Sequence, residues 1–124
     1  MPTDALITLQ AQVTKTATFN STGVDIKGTP RRGLFARVIY SAATNASGSN
    51  TVAWTIEHSD DNSTFVQLAT DVENNVALST TAQSGEVYIP VNTSKRYVRL
   101  VTTISGGGST PTVTYGAEFS LAKP

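Results

Sequence analysis

The stretch Thr51–Leu68, TVAWTIEHSDDNSTFVQL, decides how the chain is read. Its first half places Val52, Trp54, Ile56 and His58 in alternation with Thr51, Ala53, Thr55 and Glu57. Period two is the pattern of a strand with one buried face. Ser59-Asp60-Asp61-Asn62-Ser63 follows, a run of residues that hydrogen-bond their own backbone and tolerate tight turns. Phe65, Val66 and Leu68 then resume the apolar run. The stretch predicts a β-hairpin, and because it carries the single tryptophan of the chain, the core is expected to form around it.

Working outward, the same alternation recurs. Toward the N-terminus, Ile7, Leu9, Ala11 and Val13 share one side of an extended segment, with Leu6, Thr8, Gln10 and Gln12 on the other. A helix starting after Asp4 is the rival reading, disfavoured by the threonine-rich continuation to Phe19. Val24 and Ile26 make a short strand, and residues 27–33, KGTPRRG, a loop. Leu34–Ser41 is apolar on both sides and is expected to be covered on both faces. Toward the C-terminus, short strands are predicted at Val76–Leu78, around Val87, Ile89 and Val91, over Arg96–Ile104, and from Thr112 to Leu121. Pro90 marks its strand as an edge or a bulge. Gly106-Gly107-Gly108 has no following lysine or helix, so it is no phosphate loop and reads as a mobile hairpin tip.

Eight or nine short strands, with turn signals every ten residues or so, describe an all-β antiparallel sandwich or barrel. An eight-stranded jelly roll is the best single topology, with an immunoglobulin-like sandwich and a closed barrel as alternatives. The 124 residues form one domain, 1–124, with residues 1–12 as an extended arm. An alternating apolar segment at a terminus needs something to dock against. Leu6, Ile7 and Leu9 are therefore contact candidates.

Composition narrows the function classes. The chain is 39% hydrophobic and 15% charged, with nine basic and nine acidic residues. Zero net charge argues against a nucleic-acid binder and weakens the case for an anionic membrane surface. Without cysteine there is no disulfide framework, thiolate nucleophile or zinc-thiolate site. Neither a secretory signal nor a membrane-length apolar run is present in the sequence. The sequons at Asn20, Asn45, Asn62 and Asn92 are accordingly read as polar turn chemistry.

Chemistry-bearing residues are few. His58, Ser59 and a nearby aspartate offer the residue types of a hydrolytic triad, but no nucleophile elbow accompanies them, and His58 is read as a strand-end residue. Asp60, Asn62, Thr64 and Asp71 fall at calcium-loop offsets, yet Phe65 stands where that loop needs glycine. No enzymatic activity, metal or cofactor is expected. Arg31-Arg32 makes a local positive tip on a neutral protein, a candidate contact with an acidic surface. Sugar binding needs exposed rings, for which Tyr88 and Tyr97 are the candidates.

Two segments, WTIEHSDDNSTFVQL and RYVRLVTTISGGGSTPTVTYGAEFSL, together with the extended start before GVDIKG, resemble the small jelly-roll capsid decoration, or cement, proteins of tailed bacteriophages. That resemblance implies a structural protein on the outer surface of the phage head, made in the host cytoplasm. It would bind the major capsid protein as dimers or trimers and stabilise the shell, with no nucleic-acid or membrane partner. Leu6, Ile7, Leu9, Arg31 and Arg32 are the expected capsid or subunit contacts. A carbohydrate-binding or adhesion module of a phage tail or fibre is the alternative.

Overall fold

Trp54 is wholly buried, between rings from the opposite sheet, and the fold is best described from it. Tyr40 stacks on the indole with ring centroids 5.4 Å apart, and Tyr115 meets it edge-on at 5.7 Å. The computed structural model describes residues 8–26, 35–68, 75–91, 93 and 95–120. Within them lie β1 (Thr8–Lys15), β2 (Phe19–Asn20), β3 (Val24–Asp25), β4 (Phe35–Thr44), β5 (Asn50–Ser59), β6 (Val66–Gln67), β7 (Asn75–Leu78), β8 (Gln83–Pro90), β9 (Tyr97–Gly106) and β10 (Thr112–Ser120).

The strands make two antiparallel sheets packed face to face. One runs β1-β10-β4-β8; the other runs β2-β9-β5-β6, with β3 also on β9 and β7 also on β5. β2 and β3 lie end to end along β9, and β6 and β7 along β5, so each pair fills one strand position. Eight positions result. In chain order they read first-eighth-third-sixth and second-seventh-fourth-fifth, the order of a jelly roll. The expected fold class holds.

Alternation explains the core. Val52, Trp54 and Ile56 of β5, Val98 and Leu100 of β9, Ala36 and Val38 of β4, and Val113, Tyr115 and Phe119 of β10 all turn inward. Thr102 is 0% exposed, although the sequence marks it as polar. Its hydroxyl donates to Tyr115 Oη at 2.8 Å across the two sheets, so neither oxygen is orphaned. Pro90 sits on β8, an edge strand, as its missing N–H requires.

Three expectations change. β1 does not keep its alternation: Leu9 is buried, Ala11 is exposed and Val13 is half-buried. Its pairing with β10 slips between Thr8 and Gln10 and again between Gln10 and Val13. Each inserted residue turns the following side chains to the other face. From Thr8 onward the expected arm is thus an edge strand of the protein's own sheet; residues 1–7 lie outside the described ones.

β4 is not covered on both faces. Ala36 and Val38 are buried, but Ile39 on the reverse is 43% exposed. Finally, the glycine-rich segment is pinned rather than free. Gly108 N–H donates to Ser49 O (3.0 Å), Ser109 N–H to Ser47 O (2.8 Å) and Ala46 N–H to Ser109 O (2.9 Å). Asn45, almost fully buried, donates through Nδ2 to Asn50 Oδ1 at 2.9 Å. Gly106 has φ 110°, a conformation that favours glycine, and a Cβ on Gly108 would lie 2.6 Å from Ser47 O.

Candidate interaction surface

The residues singled out in the sequence do not converge on one site. His58 Nδ1 pairs with Thr93 Oγ1 at 2.6 Å. The hydroxyl of Ser59 donates to Asp61 Oδ1 (2.8 Å) and accepts from the N–H groups of Asp61 and Asn62. His58 and Ser59 are adjacent in sequence, but each is committed to a different partner. Burial, and then Lys95, pull the His58 pKa down. Asp61 Oδ1 also accepts from the N–H of Ser63 and Thr64, and these bonds, led by Thr64, lower its pKa to about 2. The acidic turn therefore spends its carboxylate on its own backbone.

The calcium-loop pattern dissolves in the same way. Asp60 is ion-paired with Lys95 at 2.9 Å, and Asp71 lies outside the described residues. No group of three His, Cys, Asp or Glu side chains comes together among the described residues. Leu6, Ile7, Arg31 and Arg32 also lie outside them. Leu9 is only 3% exposed and packs in the protein's own core, so its side chain is already occupied.

The surface that draws attention was not singled out in the sequence. It is the outer face of the β1-β10-β4-β8 sheet. In antiparallel pairs, opposed residues point to the same side. Arg37 of β4 opposes Tyr88 of β8 and Glu118 of β10; Ile39 opposes Glu86 and Gly116; Phe35 opposes Pro90. At the centre Arg37 Nη2 holds Glu86 Oε2 at 2.6 Å, while Nη1 reaches Glu118 Oε2 at 3.2 Å. Tyr88 Oη donates to Glu86 Oε1 at 3.0 Å. Arg37 and, secondarily, Tyr88 hold the Glu86 pKa below the usual carboxylate range.

Apolar groups flank this ionic row. Phe35 and Tyr88 meet edge-on with centroids 6.5 Å apart. Ile39 borders a shallow depression of about 370 Å³, which is also lined by Gln10, Gly116 and Glu118. The only other exposed large hydrophobic side chain among the described residues is Val66, alone on edge strand β6.

Sequence reasoning noted Tyr88 as an exposed ring but missed Arg37, Ile39, Glu86 and Glu118. The available signal was the outward half of Leu34–Ser41, where an arginine alternates with phenylalanine and isoleucine. No protein-family model matches the chain, and no curated protein matches it.

Proposed function

We propose that this protein is a capsid decoration, or cement, protein of a tailed bacteriophage. It binds the outer surface of the major capsid protein shell, as dimers or trimers, and stabilises it. The observation that carries this reading is the outer face of the β1-β10-β4-β8 sheet, where Ile39, Phe35 and Tyr88 surround the Arg37 ion-pair row with no covering segment among the described residues. A pre-formed sheet face needs little ordering to dock, which lowers the entropic cost of association. Repetition over a shell and oligomer avidity multiply modest contacts of this kind. The sequence resemblance of the Trp54 hairpin and of the C-terminal strands supports the same reading.

The test is co-sedimentation with heads of the corresponding phage that lack their decoration. Saturable binding, with heat release of the genome shifted to higher temperature, is expected. Failure to co-sediment at micromolar protein overturns the reading. The carbohydrate-binding alternative draws on Tyr88 and Tyr97, but these rings lie on different sheets, Tyr88 meeting Phe35 edge-on at 79° and Tyr97 lying under Arg96, so they share no platform for a sugar ring. Saturable glycan binding without head binding would favour it.

A further inference from the structure

The ion-pair row is unbalanced. One guanidinium, Arg37, serves two carboxylates, Glu86 and Glu118, leaving one formal negative charge among the described residues of the face. Glu86 uses both oxygens, Oε2 on Arg37 and Oε1 on Tyr88. Glu118 has only the longer contact, through Oε2, and among the described residues its Oε1 has no hydrogen-bond partner. The surplus therefore resides on Glu118, the carboxylate that lines the depression.

The depression itself is a slot. Gly116 lies opposite Ile39, and the place its side chain would take is closed by the backbone of β1, with Gln10 O and Gln12 N 3.3 Å from it, so the open side of the slot is at Ile39. Glu118 is two residues further on the same face of β10. Ile39, Ala11 and Ala117 give the slot apolar surface among the polar Thr8, Gln10 and Gln12, and Glu118 ends it with a partly exposed carboxylate; that lining suits a long aliphatic stem with a cationic head. The protein's own described cations are committed elsewhere. Lys95, Arg96 and Arg99 pair with Asp60, Asp25 and Glu57, and Lys15 sits over the ring of Phe19.

We infer that this slot receives a lysine or arginine side chain of a partner protein, its stem against Ile39 and its charge on Glu118. The inference rests on the reading of this face as the contact surface, and it specifies the partner's chemistry: a basic residue on an otherwise apolar patch.

The experiment is a titration of the full chain, followed by amide and methyl NMR, with N-acetyl-lysine methylamide. N-acetyl-norleucine methylamide, which has the same stem without the charge, is the control. Saturable shifts centred on Ile39, Gly116 and Glu118 are expected with the lysine probe. Glu118→Gln should weaken that binding about two- to fivefold, the range for a partly exposed pair. Ile39→Thr should weaken it as well, while its spectrum stays folded. Equal shifts with both probes, no saturation, or unchanged affinity in Glu118→Gln overturn the inference. Saturable, Glu118-dependent binding supports it whether or not the protein binds phage heads, whereas absence of head binding overturns the decoration reading alone.

Discussion

The outer faces of the two sheets carry similar residues and arrange them differently. On the β2-β9-β5-β6 sheet each described cation has its own anion: Arg99 pairs with Glu57 at 2.6 Å, and Arg96 grips Asp25 with two hydrogen bonds of 3.0 and 2.9 Å. The same cations roof the rings of that face. Arg99 lies 4.2 Å from the centroid of Phe65, and Arg96 lies 5.4 Å from that of Tyr97. On the β1-β10-β4-β8 sheet one arginine is divided between two glutamates, and Ile39 has no roof. One face has satisfied its charges and covered its rings; the other keeps a spare acceptor and a bare aliphatic side chain. Unroofed apolar surface beside unspent charge is the contrast on which the proposed docking rests.

The comparison can be broken from beneath. Trp54 supports both faces through one core, and Trp54→Ala should cost about 3–5 kcal/mol. Chemical denaturation would measure it, and a cost below about 1 kcal/mol would mean that the sheets do not share a tryptophan-centred core. A matched pair of surface changes comes next. Ile39→Lys and Thr103→Lys each place a lysine on one outer face. Both should leave stability within about 0.5 kcal/mol. Only Ile39→Lys should weaken head binding, by about tenfold or more, equivalent to about 1.4 kcal/mol. Equal effects would erase the distinction between the faces.

Smaller effects sharpen it. Arg37→Met leaves two carboxylates on one face without their shared cation and should cost about 1 kcal/mol, more at low salt. Arg99→Met strips a single carboxylate and uncovers Phe65, and should cost roughly half as much. Urea titrations at two ionic strengths separate the two.

Acid should act away from both faces, at the hairpin turn. The folded pKa of Asp61, about 2, lies below its ordinary 3.8, so its contribution is present above pH 3.8 and is lost as the pH falls toward 2. The His58 pKa is also lowered, from an ordinary 6.5; the folded state therefore prefers the neutral ring, and this contribution fades as the pH drops below 6.5. In amide exchange measured at pH 7, pH 5 and pH 3, residues 59–64 should lose protection before Ile39 or Arg99 does, with His58 acting in the upper step and Asp61 in the lower one. His58→Gln should flatten the upper part of that dependence.

The fold was legible where burial repeats every second residue without interruption. Val52, Trp54 and Ile56 read correctly because β5 is paired along its length with β9, without a register shift. β1 misled because its bulges are set by the partner strand, which local alternation does not contain. Thr102 was hidden by its hydroxyl, whose partner Tyr115 comes from the other sheet. The glycine-rich segment looked loose because its partners, residues 45–50, precede it by about sixty positions and meet it only after the sheets form. The same holds for the candidate interaction surface. Arg37 is 49 residues from Glu86 and 81 from Glu118, so the row appears only once strands from three parts of the chain lie side by side.

Strand β1 is on the sheet's edge, and its hydrogen-bonded neighbour is β10. On the ribosome, β1 therefore waits for β10 to be made. Thr8 opposes Glu118, so nearly the whole domain must be synthesised before that seam can close. Pairings across such sequence distances belong to the slow end of domain folding, about milliseconds to seconds. Until then β1 is an unpaired strand that another nascent chain could capture, a hazard that grows with expression level. A circular permutant that joins the end of β10 to the start of β1 and opens elsewhere would turn this long-range seam into a local hairpin, and should fold faster with the same final sheet order.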